Sequence, residues 1–114
     1  LTAGHRHVRL ASGEAYFAVA RDAARPFVVE TPAGAVRVTG TAFAVGASPA
    51  GTLTVLVEEG SVQVHPGEAG HAPLRLAAGQ RLRSDSRHHA VDTLSTEEVS
   101  AALAWRAGQV VFAG

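Results

Sequence analysis

The stretch from Arg25 to Val64 limits the fold more than any other part of the chain. Val28, Val36, Val38, Phe43, Val45, Leu53, Val55, Val57, Val62 and Val64 fall largely on every second position within short runs, interrupted by Thr31, Arg37, Thr39 and Thr54. Side chains on a strand alternate between faces, so this pattern gives one face to a core and the other to water. A helix of period 3.6 could not gather that set on one stripe. Five short strands follow, with a Gly40-Thr41 step between the second and third. The expected fold class is all-β.

With 114 residues the chain can close one core without metals or disulfides, so residues 1–114 are expected to form one domain. Aromatic residues make up only 5% of it against 46% hydrophobic, so the core must be built from Val, Leu and Ala. Such a core favours layers of β-branched residues over a helical bundle. Ten arginines, no lysine and ten acids give a net charge of zero, without the positive excess of a nucleic-acid binder. The absence of cysteine excludes thiol catalysis, disulfides and cysteine-based zinc sites, and suits an exported bacterial domain. There is no signal peptide, and no apolar run approaches the roughly 18–20 residues of a membrane span. The chain opens on Leu1 rather than Met, which suggests a piece of something longer, with any anchor outside it.

Taken in order, His5 to Leu10 reads as a two-sided strand ending at Ala11-Ser12-Gly13. Glu14 to Ala20 is a second strand, with Phe17 and Val19 on one face and Tyr16 and Ala18 on the other. Arg21 to Arg25 is a charged connector with room for a single helical turn, and Pro26 belongs at a strand start or edge. Phe27–Thr31 and Ala35–Thr39 are expected to form a hairpin around Pro32-Ala33-Gly34. Thr41 to Gly46 is a further strand, followed by a small-residue tip over Ala47–Gly51. Thr52–Glu58 is expected to pair with Ser61–His65 across Glu59-Gly60. Pro66–Pro73 and Ser84–Ala90 are polar loops flanking two brief strands, Leu74–Leu76 and Arg81–Arg83, joined by Ala78-Gly79-Gln80.

The ending differs. Ser95-Thr96-Glu97-Glu98 has capping-box spacing, with acid in the positive first turn of a short helix. Val99, Ala102, Leu103 and Arg106 share its face, Gly108 stands where a left-handed stop is wanted, and Gln109–Phe112 is a last strand. Turn signals every 8 to 12 residues mark a two-layer β-sandwich or a solenoid-like stack of short strands.

The six histidines invite a metal reading, because His5 and His7 project from one face of a strand. A catalytic metal site needs about three protein ligands, and no His-x-His with a following Glu and a later His in a Gly-rich frame is present. These read as solvent-facing strand histidines, and His88-His89 as a solvated loop pair. Glu58 and Glu59 diverge on a strand and make no acid/base pair. No Gly-x-Ser-x-Gly elbow exists, and Gly40-Thr41 opens a strand rather than a phosphate-binding helix, so a bulge or tight backbone approach is its plainer meaning. Trp105 is read as an anchor over the sheet, or else as a partner contact. Nothing in the pattern supports catalysis, a cofactor or a metal.

Ordered blocks of the chain resemble the FecR family. They are Gly13-Glu14-Ala15-Tyr16-Phe17-Ala18-Val19, Arg25-Pro26-Phe27-Val28-Val29, Val38-Thr39-Gly40-Thr41-Ala42-Phe43-Ala44-Val45, Val55-Leu56-Val57-Glu58-Glu59-Gly60-Ser61-Val62, Leu76-Ala77-Ala78-Gly79-Gln80 and Ala104-Trp105-Arg106-Ala107-Gly108. Phe17, Arg25, Pro26, Phe27, Gly40, Thr41, Phe43, Gly60, Gly79 and Trp105 stand out as signature structural positions. The family commonly has Asn where Ala44 stands, a departure expected to touch a turn-side polar contact. The family domain usually also has an upstream strand region with an Asp-Gly-Ser turn, which this sequence lacks.

The resemblance implies a periplasmic domain of an inner-membrane anti-sigma regulator. Its partners would be the signalling domain of a TonB-dependent outer-membrane transducer and, through a cytoplasmic segment outside this sequence, an extracytoplasmic-function sigma factor, typically in iron-siderophore uptake. A small α/β secretin/TonB-type module normally follows. A carbohydrate-binding β-sandwich and a cupin-like metal-binding protein are the competing classes, and the single Trp and single Tyr weigh against the first.

Overall fold

Alternating Val, Leu and Phe in runs of four to seven residues, cut by Gly, Pro and Ser, cannot build long helices and instead build short strands. A computed structural model describes residues 6–22, 24–66, 73–85, 88–104 and 111–113. The strands are β1 (Arg6–Arg9), β2 (Gly13–Ala18), β3 (Phe27–Thr31), β4 (Gly34–Val38), β5 (Ala42–Ala47), β6 (Leu53–Glu59), β7 (Ser61–Pro66), β8 (Leu74–Ala77), β9 (Gln80–Ser84), β10 (His89–Thr93) and β11 (Val111–Ala113). One helix, α1 (Thr96–Ala102), lies between the last two.

The strands form two sheets. One has five strands in the order β1-β3-β4-β7-β8, the other six in the order β10-β9-β6-β5-β2-β11. Pairing is antiparallel except at two edges, where β1 runs parallel to β3 and β11 parallel to β2. The inward residues of both sheets meet in one core that includes Phe17, Phe27, Val29, Val36, Phe43, Val45, Val55, Val57, Val64, Leu76 and Leu82. Burying a Val, Leu or Phe side chain is worth roughly 1.5–3 kcal/mol, so this layer is the main source of stability. The fold class is therefore the expected one, in its two-layer sandwich form.

A second, smaller core lies on the other face of the six-stranded sheet. There Tyr16, Ala44 and Leu56 pack under Val99 and Leu103 of the helical segment. Strand β2 thus buries both faces, with Phe17 inward and Tyr16 under the helix, and Val19 just past its end also joins the inner core, as the sequence implied. Ala44 sits in mid-strand beneath α1, so the family's usual polar residue would meet this apolar layer rather than a turn. The seven residues of α1 are too few to be helical alone. Its start is held by Ser95, whose hydroxyl accepts from the Glu98 amide while the Glu98 carboxylate accepts from the Ser95 amide.

The hairpin expected across Glu59-Gly60 does not form. β6 pairs with β5 and β9, whereas β7 pairs with β4 and β8 in the opposite sheet. Gly60, at φ 88°, turns the chain across the sandwich instead of folding it back. Ala78-Gly79 does the same between β8 and β9, and Thr39-Gly40-Thr41 between β4 and β5. True hairpins are β3–β4, around the two residues Pro32 and Ala33, together with β5–β6, β7–β8 and β9–β10. Successive hairpins are therefore laid into the two sheets by turns.

Two further expectations are refined. In the Arg21–Arg25 connector the Arg25 amide closes a single turn on the Asp22 carbonyl at 3.2 Å, and none of its described residues is helical. His89 and Ala90, read as part of a loop, begin strand β10, whose residues are mostly exposed. Trp105, Arg106, Gly108 and His5 lie outside the described residues.

Candidate functional site

The registers put all three glycine corners at one end of the sandwich. β4, β6 and β8 run toward that end and β5, β7 and β9 run away from it, while the hairpin turns at Pro32-Ala33 and 48–52 lie at the other. The connector from Val19 to Pro26 crosses the same end, because β2 arrives there and β3 departs from it. Most of the signature positions consequently gather in one region, although they span more than sixty residues of sequence.

Backbone contacts knit this end together. Val19 and Thr41 exchange both amide–carbonyl bonds, at 2.9 and 3.3 Å, and the Asp22 amide donates to the Thr39 carbonyl at 2.7 Å. Thr41, the one buried polar residue among those described, donates its hydroxyl to the Ser61 carbonyl at 2.7 Å. The chain passes so close here that a Cβ on Gly40 would stand 2.7 Å from the Arg21 Cα. A Cβ on Gly60 would stand 2.8 Å from the Gly40 carbonyl oxygen. The Gly40-Thr41 step is therefore a close backbone approach, the plainer of its two sequence meanings. Gly79 joins through its amide to the Val57 carbonyl and through its carbonyl to the Leu94 amide, at 2.8 and 2.7 Å.

Behind the corners lies an aromatic cluster. Phe17 meets Phe27 edge-on at 5.5 Å between centroids and stacks on Phe43 at 5.3 Å. Pro26 is buried beside Phe27, and Arg25 pairs with Asp22 at 2.7 Å, which fixes the connector. An open depression of about 640 Å³ sits over this end, lined among others by Ala18, Arg21, Gly40, Thr41, Glu59 and Gly60. That Arg21 and Glu59 line one depression is not legible in the sequence, because nothing local marks the connector and the Glu59-Gly60 step as neighbours.

Several titratable groups elsewhere are engaged in structural pairs. His7 contacts Glu30 at 2.9 Å, His88 lies 3.7 Å from Asp85, and His89 bonds Ser84 at 2.7 Å. Among the described residues no group of three or more His, Asp or Glu side chains is arranged to hold a metal ion. Tyr16 donates its hydroxyl to Glu58, while Glu59 is exposed at the corner, so the two adjacent carboxylates do diverge. Asp92 accepts from Arg81 at 3.1 Å and Arg83 at 2.8 Å, and the Arg81 bond chiefly holds its carboxyl below the ordinary range. The backbone bond from Ser95 does the same for Glu98.

A family model described as FecR protein matches residues 1–63, more than half of the chain. The chain belongs to the FecR family. Two crystal structures of a candidate anti-sigma factor from Parabacteroides distasonis ATCC 8503, at 1.65 and 2.50 Å resolution, share this fold. They are 29% and 30% identical to the chain, each with a TM-score of 0.75 and 90% of the chain covered. The chain spans about half their length, 48% and 47%. A comparison with curated protein sequences returns no match. Within this FecR chain the matched segment runs through Gly40, Thr41 and Gly60, and so includes two of the three corners.

Proposed function

We propose that this chain is the periplasmic signalling domain of a FecR-type transmembrane anti-sigma regulator. It relays a signal from a TonB-dependent outer-membrane transducer to an extracytoplasmic-function sigma factor, in the control of iron-siderophore uptake. The FecR match carries the reading, and the likeness to the Parabacteroides structures supports its anti-sigma character.

The physical role is that of a stiff relay with no chemistry of its own. A body whose corners are locked by paired backbone bonds, and whose interior is close-packed, passes a docking event on as a rigid displacement, which a flexible tether would dissipate. Among the described residues no helix is long and apolar enough to cross a membrane, so in this reading the anchor belongs to another segment of the regulator.

The test is a sigma-dependent transcriptional reporter in cells carrying the intact regulator or one lacking the segment equivalent to residues 1–114. Loss of the response to ferric siderophore, with the regulator still present in the membrane, is the expected outcome. An unaltered response would refute the role. A second measurement is retention of the purified domain by the transducer's immobilised periplasmic domain, and equal retention by bare resin would count against direct contact.

A further inference from the structure

The zero net charge of the chain conceals a division between its two broad faces. On the outer face of the five-stranded sheet, alternation brings out His7 and Arg9 on β1, Glu30 on β3, Arg37 on β4, Gln63 and His65 on β7, and Arg75 on β8. Glu30 is the one carboxylate of that face among the described residues, and it is taken up by His7 at 2.9 Å and Arg9 at 3.5 Å. Arg37, Gln63 and Arg75 are direct cross-strand neighbours. Both arginines are exposed and form no ion pair among the described residues. The outer side of the other sheet differs: α1 covers part of it, and Glu14, Glu58, Asp92, Glu97 and Glu98 outnumber Arg81 and Arg83.

We infer that the outer face of the five-stranded sheet, centred on Arg37, Gln63 and Arg75, binds an extended acidic segment of a protein partner. Neighbouring strands are spaced by about 4.8 Å, so the two arginine backbones stand roughly 9–10 Å apart. Alternate side chains of an extended segment project about 6.6–7 Å apart on one side, and the long arginine stems close that difference. Each guanidinium offers a two-pronged fork that matches a carboxylate. Between them, Gln63 Oε1 lies 3.2 Å from His65 Nε2, which leaves the amide N–H groups to donate to a backbone carbonyl. A shallow groove of about 240 Å³, lined in part by Arg37, Thr39, Ser61, Gln63 and Arg75, marks the seat.

A nucleic acid or an anionic membrane fits less well. Both require a broad positive surface, with clusters of about 4–8 basic residues for lipid, and here the opposite face is acidic. The inference goes beyond the sigma-regulator reading and does not depend on it, since any protein with alternating carboxylates would satisfy the geometry.

The experiment titrates the isotope-labelled chain with a synthetic peptide of alternating Glu and Thr, and with a matched peptide of alternating Gln and Thr. Saturable amide shifts on β4, β7 and β8 with the first peptide alone are expected. The double variant Arg37→Ala/Arg75→Ala, melting like the parent chain, should bind at least about tenfold more weakly. Arg83→Ala on the opposite side should leave binding unchanged. Shifts confined to α1, β9 and β10 would overturn the inference, as would equal response to the Gln peptide or undiminished binding by the double variant. Displacement of the peptide by equimolar inorganic phosphate, or tighter binding of a single-stranded oligonucleotide, would show a general anion site instead. Self-association abolished by the double variant would assign the face to a second copy.

Discussion

Gly60 separates two costs that glycine substitutions usually confound. It has a φ of 88°, and an added Cβ would also press on the Gly40 carbonyl at 2.8 Å. Gly51 has a similar φ of 95° but open space around it. Gly51→Ala should therefore lose only the left-handed penalty of about 1–2 kcal/mol. Gly60→Ala should lose at least about 1 kcal/mol more, because the corner must open. Denaturant titration of both variants decides it, and equal losses would mean the crossing has slack. At the adjacent step, Thr41→Val leaves the Ser61 carbonyl without its donor and should cost about 1–3 kcal/mol by the same measurement. The sequence marks Gly40-Thr41 and Gly60 as special, and alternation sends Phe17, Phe27 and Phe43 inward. Their mutual contact was not legible, because it depends on which strands become neighbours, and local pattern carries no such information.

At the scale of elements, α1 and β10 show what pattern reading catches and what it misses. The helix was legible because its capping box is local. β10 was not, because an edge strand with mostly exposed residues has no buried face to impose alternation. It is tied instead by Asp92 reaching Arg81 and Arg83 across the β9–β10 pair. The Glu59-Gly60 signal reads as a hairpin because a positive-φ glycine between strands serves a reversal and a crossing alike. Only the sheet partners tell a reversal from a crossing. The carboxyl groups of Asp92 and Glu98 are both held below their ordinary range, by the Arg81 and Ser95 bonds respectively. Their folded values lie below the unfolded ones, so their stabilising effect is present above the ordinary carboxylate range and fades as pH falls through the folded values. The melting temperature of Glu98→Gln should accordingly fall less than that of the parent chain between about pH 5 and about pH 2.5, and Asp92→Asn should behave alike. Parallel curves for variant and parent would exclude these two groups as contributors.

For the whole molecule, the two-layer arrangement predicts a gradient of local stability. β5 and β6 are inner strands of their sheet, with buried side chains on both faces, while β1 and β10 are edge strands. Amide hydrogen exchange should be slowest in β5 and β6 and fastest in β1 and β10. Uniform protection would argue against this layering. The same measurement bears on the proposed relay, which requires the corner amides of Val19, Thr41 and Gly79 to be protected along with the inner strands.

The separation of crossings from reversals has a practical side. The three glycine corners are at one end, so the tip between β5 and β6 carries none of that load, and a Cβ added at Gly51 there would meet nothing within 4 Å. Lengthening a surface tip costs only about 0.6 kcal/mol for each doubling of its length. A fluorophore-bearing peptide spliced between Pro49 and Ala50 should leave the sandwich intact. That makes this end the natural handle for tethering or labelling the domain while the other end stays free.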